Sequence, residues 1–296
     1  MTKLLPEKWH TLFRWLFIPV AFYAFVVLGT IGVGFYYSFF NWKGGARISF
    51  NGLDNYIRLF FDESFWMSFK NNLKLIAVCL VGQVGLGFLL SVLLASKFLR
   101  LRKVYKFIIF LPVVLSGVVV GFLWSMMYNS SFGLLNQFLS MVGLESFVRN
   151  WLGDPSIVMM SISVTLVWQY IGLNVVIFLS SIQNIPQDII EASEVDGADA
   201  FQRLRFIITP LMYNTIKVAV VLCVSGNLKT FEHVNIMTRG GPGTASSVVA
   251  MYAYKQSFEN MYFGYGSSIA FGIVLISICM VSLTNLIMRA GKKYDV

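Results

Sequence analysis

The sequence predicts an all-α, polytopic membrane protein with six transmembrane helices and both termini in the cytoplasm. Three observations support this fold class. Six apolar runs reach the length of about 20 residues that a helix needs to cross a bilayer. Only 12% of the residues are charged, whereas a soluble domain carries about a quarter. Lysine and arginine concentrate in alternate segments between the runs, as the positive-inside rule requires.

The six runs place the helices along one predicted membrane domain, 15–289. The first run is too long for a signal-peptide core and has no small-residue cleavage site after it, so we interpret it as a retained span. The fifth run is interrupted by Asn227, Lys229 and Glu232. We expect a cytoplasmic segment, 1–14, before the domain and a cytoplasmic tail, 290–296, after it. The predicted helices are about 15–40, 75–95, 108–127, 157–182, 216–236 and 268–288.

The basic residues set the predicted orientation. With the N-terminus inside, 14 of the 23 lysine and arginine residues fall in inside segments. The stretch KFLRLRKVYK (97–106) is the strongest single marker. The other nine are spread over longer outside loops or the ends of spans. Aspartate and glutamate carry little weight in this rule, so the acidic stretch 188–199 does not change the prediction.

The composition argues against several function classes. The net charge of +9 does not indicate nucleic-acid binding, because the basic residues cluster beside apolar runs. The cysteines Cys79, Cys223 and Cys279 lie within runs, where a thiol is usually a small apolar group, and they imply no disulfide framework. The two histidines, His10 and His233, are far apart and suggest no metal site.

The loop after the first run, 52–69, combines aromatic rings with polar residues. The rings of Tyr56, Phe60, Trp66 and Phe69 are suited to the headgroup level of a membrane. We therefore interpret this loop as an amphipathic helix that lies on the membrane surface.

The segment between the fourth and fifth runs is unusual in so apolar a chain, because it holds five carboxylates within residues 188–199. Ser193, Gly197 and Ala200 recur at the spacing of one helix face, and small side chains let another backbone approach closely. Gly197 offers a turn, and Pro210 limits a second helix. A helix that touches only headgroups is the alternative, but the anionic inner leaflet repels carboxylates. The segment therefore favours docking to a partner protein with basic residues.

At these residues the chain resembles a known family. The cytoplasmic loop of permease subunits of binding-protein-dependent ABC importers follows the pattern Glu-Ala-Ala-x3-Gly-x9-Ile-x-Leu-Pro. Glu191, Ala192, Gly197, Ile207 and Pro210 match it at the correct spacing. The sequence has Ser193 where the pattern has its second alanine, and Thr209 where the pattern has leucine.

The resemblance extends over most of the chain. The stretches FNGLDNYIRLF (50–60), DGADAFQRLRFIITPL (196–211) and GGPGTASSVVAMYAYKQSF (240–258) look like the maltose-type, first-permease branch of carbohydrate uptake. This resemblance implies the type I ABC importer permease fold in the plasma (inner) membrane of a bacterium or archaeon. It also implies a second, homologous permease, two ATPase subunits that bind ATP and Mg, an extracytoplasmic solute-binding protein and a sugar-like substrate.

The resemblance assigns a role to the acidic segment as a coupling loop, 185–213, that is seated in a cleft of the ATPase. Its predicted contact residues are Glu191, Ala192, Ser193, Asp196, Gly197 and Pro210. Nucleotide-driven closure of the ATPases would push on this loop and rock the permeases between inward-open and outward-open states.

Polar residues within spans are costly and often functional. By the same resemblance, five positions correspond to the lining of a sugar pathway: Trp168, Ile171, Gly172, Asn227 and Thr230. The residues themselves also allow structural readings. Gln169 and Asn174 suit hydrogen bonds between helices, and Lys229 with Glu232 suits an ion pair across one helical turn.

Two glycine motifs receive structural interpretations. Gly117 and Gly121 are four residues apart, which favours close helix packing inside the bundle or against another permease. The GGPGT stretch (240–244) lacks the Lys-Ser/Thr ending of a phosphate loop. We interpret it as an outside turn.

Three other function classes compete with the importer. An ion-coupled secondary transporter usually buries acidic residues near the membrane midplane, and Glu232 is the one candidate. A membrane enzyme needs a clustered catalytic set, which the sequence lacks. A purely structural subunit would not explain the coupling loop. The sugar itself is left open, as is whether Lys229, Glu232 and Arg239 contact a solute or only each other.

Overall fold

A computed structural model describes residues 9–96 and 99–290, and side chains between 15 and 288 apart from 97 and 98. Residues 1–8 of the predicted segment 1–14, residues 291–296 of the predicted tail 290–296 and the base Lys97 therefore lie outside the described residues. The chain divides into two compact units: residues up to 62 with 253–272, and residues 63–252 with those from 273 onward.

The first unit begins with α1 (Trp9–Tyr37), whose apolar side chains are largely exposed. The predicted helix to residue 40 is too long, because a hairpin follows: β1 (Phe40–Trp42) pairs antiparallel with β2 (Ile48–Phe50). The turn contains Gly44 and Gly45 at φ +77° and +131°, a backbone conformation that favours glycine. The unit continues with α2 (Asp54–Phe60).

The interfacial helix predicted over 52–69 is wrong as a single element. Asp62 separates α2 from α3, so Trp66 and Phe69 belong to a second, longer helix instead. α3 (Glu63–Cys79), a π-helical stretch (Leu80–Leu86) and α4 (Gly87–Ala95) form one apolar span of 33 residues.

The third run forms two helices, α5 (Arg102–Val114) and α6 (Gly117–Met127), which meet at 101°. Pro112 cannot donate a backbone hydrogen bond within α5. Two residues beyond the end of α5, Ser116 begins α6 as its N-cap, where its side chain accepts from the amide of Val118 at 3.3 Å. The straight helix predicted over 108–127 is therefore broken. α7 (Leu134–Met141) follows.

α8 (Val158–Gln183) is the most buried span of the second unit. It packs against α3, α4 and α5. Its residues Ile162, Leu166 and Phe178 are almost fully buried in the main hydrophobic core, together with Cys79 and Cys223. These two cysteines act as small apolar core groups, as predicted, and no described cysteine is in a disulfide.

The remaining helices follow in order. They are α9 (Gln187–Val195), α10 (Ala200–Arg203), α11 (Thr209–Leu211), α12 (Tyr213–Leu228), α13 (Glu232–Met237), α14 (Val249–Tyr254) and α15 (Phe263–Ala290). The fifth predicted helix ends early, at Leu228, and residues 232–237 form a separate short helix.

By length and composition, four described helices can cross a membrane, and the number rises to six if each bent pair counts as one span. This confirms the polytopic, helical fold class. The cytoplasmic location of both termini stays a prediction.

Candidate functional site

The coupling loop is organised around Gly197, which has φ +80°. α9 ends at Val195, with Asp196 as its C-cap. The amide of Gly197 donates to the carbonyl of Glu194 at 3.1 Å, and the amide of Ala198 donates to the carbonyl of Ser193 at 3.0 Å. These two bonds are the Schellman arrangement that closes a helix through a left-handed residue. Gly197 therefore makes the turn that its backbone freedom predicted.

A second local motif starts the next helix. Asp199 is the N-cap of α10, and its side chain accepts from the amide of Gln202 at 2.8 Å. The side chain of Gln202 accepts in return from the amide of Asp199 at 2.9 Å, which completes a capping box. Arg203 forms an ion pair with Glu194 and so links α10 to α9. The loop is thus stabilised largely by its own hydrogen bonds.

Pro210 lies just after a π-helical stretch, Leu204–Ile208. A proline removes one backbone donor and crowds the carbonyl of the preceding turn, and a wider turn relieves that crowding. The hydroxyl of Thr209 donates to the carbonyl of Leu204 at 2.7 Å. The chain then bends by 71° between residues 200–211 and 213–228, at the buried residue Met212.

The loop presents a mixed surface. Its carboxylates Glu191 and Asp196 are exposed beside Val195 and Phe201, whose exposed fractions are 87% and 67%. Ser193 does not belong to this surface, because it is buried and its hydroxyl donates to the carbonyl of Ile190 at 2.6 Å. The predicted small-residue face is therefore split. The exposed predicted residues are Glu191, Ala192, Asp196 and Gly197, and Pro210 is half-buried.

The second candidate region is a cavity of about 490 Å³ between α8, α12 and α13. Asn227 and Thr230, two of the predicted pathway residues, line it. The other lining residues are Gln83, Leu166, Tyr170, Leu173, Asn174, Leu222, Cys223, Gly226, Lys229, Phe231, Glu232 and His233. Its polar side chains are three amides, two hydroxyls and the ionisable groups of Lys229, Glu232 and His233. Amides and aromatic rings in a concave site suit hydroxylated ligands.

The other three predicted pathway residues lie elsewhere on α8. Gly172 is buried against α5, where a methyl group in its place would overlap the carbonyl oxygen of Ile109 and lie 2.9 Å from the Cα of Phe110. Trp168 packs edge-on against Trp124, with ring centroids 5.6 Å apart. Ile171 packs against the cluster of buried residues that joins α4 to α8. The cavity therefore brings together Asn227 and Thr230 but not these three.

A hydrogen-bonded chain that the sequence analysis did not identify joins α8 to the break between α5 and α6. The side-chain amide of Gln169 donates to the carbonyl of Leu115 at 3.0 Å. Its oxygen then faces His233 Nε2 at 2.5 Å, so that nitrogen must donate. Gln169 thus makes the interhelical bonds that its position suggested. Asn174 does not, since its amide donates to the carbonyl of Tyr170 on its own helix at 3.4 Å.

Two asparagines on α3 also escaped the sequence analysis. Asn72 donates to the carbonyl of Asn227 at 3.0 Å and accepts from the amide of Val249 at 2.8 Å. Asn71 donates to the carbonyls of Thr244 and Ser247. Both side chains are buried. Asn72 satisfies backbone groups at the end of α12 and the start of α14, whereas Asn71 satisfies carbonyls of the loop before α14. The sequence signal that could have identified them is the pair of adjacent asparagines shortly before the second run, since polar amides beside a span suit hydrogen bonds to other segments.

The prediction of an ion pair between Lys229 and Glu232 is wrong. α12 ends before Lys229 and α13 begins at Glu232, so the two residues do not share a helical turn. Within the described part of the chain, neither Lys229 nor Glu232 forms an ion pair within 4 Å. The side chain of Glu232 instead packs against the start of α6, where its Oε2 would be 2.5 Å from a methyl group at Gly117.

The Gly117 and Gly121 pair packs inside the bundle. A methyl group at Gly117 would be 3.0 Å from His233 Cε1, and one at Gly121 would be 3.3 Å from Ile236. α6 therefore approaches α13 closely through its two glycines. The GGPGT stretch forms a turn, with Gly240 and Gly243 at positive φ.

Comparison with known proteins places these features in a family. The family described as "Binding-protein-dependent transport system inner membrane component" matches residues 87–292. A probable ABC transporter permease protein of Pyrococcus horikoshii is 36% identical over 247 residues, which cover 83% of this chain and 84% of the relative. The trehalose/maltose transport system permease protein of Thermococcus litoralis is 31% identical and covers 82% of this chain and 80% of the relative.

A solved structure has a similar fold. It is a bacterial alginate ABC transporter in complex with a periplasmic protein that binds an alginate pentasaccharide. The TM-score is 0.83 at 23% identity, and the match covers 98% of each chain.

Proposed function

The chain belongs to the family of binding-protein-dependent transport system inner membrane components, and on this premise we propose that it forms, with a second permease, the pathway for a sugar or sugar derivative. It is a multi-pass protein of the inner membrane and a permease of an ABC importer rather than an enzyme in its own right. In the proposal, ATP and Mg bind to separate ATPase subunits, and an extracytoplasmic solute-binding protein delivers the sugar.

The form of the coupling loop carries the proposal for an ATPase partner. Its exposed carboxylates and exposed Val195 and Phe201 form a mixed surface of the kind that docks into a protein cleft. The Schellman turn at Gly197 and the capping box at Asp199 hold that surface in one shape. A segment with a fixed shape transmits a push as a rigid body.

The cavity supports a sugar as the solute. Its wall offers the amides of Gln83, Asn174 and Asn227 and the rings of Tyr170 and Phe231. Sugars present hydroxyls to such amides and C–H faces to such rings. The Thermococcus litoralis relative is a trehalose/maltose permease, which supports the same substrate class for this chain.

Cross-linking tests the ATPase partner. In a Cys279→Ser background, we expect Val195→Cys to form an adduct with a nucleotide-hydrolysing subunit in native membranes. Val142→Cys is the matched control, because Val142 is also exposed but lies outside the coupling loop. No adduct from Val195→Cys, or an equal yield from Val142→Cys, would contradict the docking proposal.

Uptake measurements test the solute pathway. We expect Asn227→Leu to abolish uptake of the sugar held by the cognate solute-binding protein, while the complex still assembles. Ser225→Leu, two residues away and outside the cavity lining, is the control and retains uptake. Normal uptake by Asn227→Leu would remove this residue from the pathway. Uptake that stops when the proton gradient is collapsed, with ATP still present, would favour an ion-coupled transporter instead.

A further inference from the structure

The loop between α6 and α8 exposes a row of large apolar side chains. It contains α7 (Leu134–Met141), a helix without a charged residue. The segment belongs neither to the coupling loop nor to the lining of the cavity. A contiguous apolar surface of this kind marks a contact with lipid or with another protein. The eight exposed apolar residues of the segment 132–148 are Phe132, Leu134, Phe138, Met141, Val142, Leu144, Phe147 and Val148.

α7 has three faces, because successive side chains of a helix are about 100° apart around its axis. One face is buried or half-buried against the second unit, one is polar and exposed, and one is apolar and exposed. In that order they are the buried face, Leu135, Asn136 and Leu139; the polar face, Gln137 and Ser140; and the apolar face, Leu134, Phe138 and Met141. The side chains of the apolar face are exposed at 61%, 59% and 84%. The helix therefore separates a surface that suits water from one that does not.

Hydrogen bonds hold α7 in one orientation. The side-chain amide of Asn136 donates to the carbonyl of Arg149 at 3.0 Å, and its oxygen accepts from Trp151 Nε1 at 2.8 Å. The ring of Trp151 in turn lies against that of Tyr128, the C-cap of α6, with centroids 6.0 Å apart. Leu135 packs against the main hydrophobic core. The fold therefore fixes the direction in which the apolar face points.

Two contacts set the depth of α7 relative to the membrane spans. Gly133, the N-cap of α7, is buried against the end of α6, where a methyl group in its place would be 2.5 Å from the carbonyl oxygen of Met127. On the other side, the carbonyl of Trp151 accepts from the hydroxyl of Ser161 at 2.9 Å. Met127 is the last residue of α6, and Ser161 lies in the first turn of α8. α7 therefore lies at the depth where both helices leave the apolar part of the bilayer.

The membrane interface accounts for both exposed faces. A helix at this depth has water on one side and lipid chains on another, and amphipathic helices bury their apolar face there. The apolar surface of α6 also leads to α7, because Phe122 and Met126 are exposed in the last two turns of α6, against which Gly133 packs. A soluble partner would approach from water, where α7 presents its polar face. We propose that α7 is a membrane-interface helix that inserts its apolar face among the lipid chains next to α6.

Site-directed fluorescence provides the test, with the chain purified together with its native partner subunits in lipid nanodiscs. Phe138→Cys and Met141→Cys are each labelled with the environment-sensitive dye NBD in a Cys279→Ser background, in which the other two cysteines are buried. We expect blue-shifted emission from both labels and a loss of fluorescence when lipids carry a nitroxide just below the headgroup. Ser140→Cys is the matched control on the same helix. All three replaced side chains are exposed, so the label displaces no core residue.

The control label lies on the polar face, so its emission should stay water-like and its quenching by the nitroxide lipids should be weaker. Equal quenching at the three positions, or water-like emission at positions 138 and 141, would overturn the assignment. Blue-shifted emission at these two positions without quenching by lipid would overturn it as well, because a protein would then cover the face. That protein is the solute-binding protein if the blue shift needs its addition, and a permanent subunit if it does not.

A charge on the apolar face gives a second, independent measurement. With the label at Met141→Cys, Phe138→Asp should reduce the quenching by nitroxide lipids, because a carboxylate disfavours insertion into the apolar part of the bilayer. Ser140→Asp places the same charge on the polar face and should leave the quenching unchanged. If Phe138→Asp changes the quenching no more than Ser140→Asp does, the apolar face does not hold α7 in the membrane, and the proposal is wrong.

Discussion

Replacement of Gly197 by valine is the sharpest test of the coupling loop. Gly197 has φ +80° and no heavy atom within 4 Å of a methyl group placed there, so the cost is backbone strain and not a clash. A non-glycine residue in the left-handed region costs about 1–2 kcal/mol, and a β-branched one more. This corresponds to a factor of about 5–30 in the population of the formed turn.

Hydrogen exchange measures that factor directly. The amide of residue 198 is protected by its bond to the carbonyl of Ser193, and the amide of residue 197 by its bond to Glu194. In Gly197→Val both should exchange faster by at least about 5–30-fold. In Gly197→Asn the exchange rates should lie between those of the wild type and of Gly197→Val, because asparagine tolerates the left-handed region better than valine. In proteoliposomes, sugar uptake per ATP hydrolysed should fall in the same order.

Gly143→Val is the matched control. Gly143 has φ +77° and equally open surroundings, but it lies outside the coupling loop. It should suffer the same local strain with unchanged uptake per ATP. Gly197→Val with unchanged exchange would refute the strain argument. Faster exchange with unchanged uptake would refute the role of the turn in coupling.

Three further predictions concern the second unit. Gly172→Ala should lower the thermal unfolding midpoint in detergent, because its methyl group overlaps the α5 backbone, whereas Gly226→Ala, which meets no atom within 4 Å, should not. Gln169→Leu should lower the free energy of unfolding by about 1–3 kcal/mol, measured by denaturant titration, because it leaves buried groups unpaired. Asn174→Leu should cost less than that, since its bond is within its own helix. Asp199→Ala should speed amide exchange at residue 202 by about fivefold, the effect of losing about 1 kcal/mol of capping.

Local chemistry accounts for what the sequence predicted well. A glycine can adopt a left-handed turn without a side-chain penalty, and a proline cannot donate a backbone hydrogen bond, so Gly197 and Pro210 indicate a turn and a helix boundary wherever they occur. The apolar runs likewise predict spans because a bilayer core has a known thickness. The glycines at 44 and 45 carried the same kind of signal for the hairpin, but the length of the first run concealed it.

The breaks within spans depend on contacts that are distant in sequence. The third run contains Pro112 and Ser116, which are local signals, but the carbonyl of Leu115 is satisfied by Gln169 from another helix. The fifth run shows no proline at its break. Its helix ends where Asn72, 155 residues earlier, binds the carbonyl of Asn227. Hydropathy averages over a window and does not report such partners.

The pathway residues show a further limit of sequence reasoning. Trp168, Ile171 and Gly172 are close in sequence to Gln169 and Tyr170. Successive side chains of a helix are about 100° apart around its axis, so neighbours in sequence face different directions. The composition of α8 therefore does not reveal which face meets α5 and which meets the cavity. The closeness of Gly172 to Ile109 decides it, and that closeness exists only in the folded chain.

The hydrogen bonds from Leu115 through Gln169 to His233 tie together three parts of the second unit: the corner between α5 and α6, the helix α8 and the helix α13. His233 lines the cavity, and its Nε2 is hydrogen-bonded to Gln169 Oε1 at 2.5 Å. α13 therefore cannot move away from α8 at this point without breaking that bond. A solute that displaced α13 would therefore pull on the corner between α5 and α6. Movement of α13 would thus either break a hydrogen bond of Gln169 or carry the corner between α5 and α6 with it.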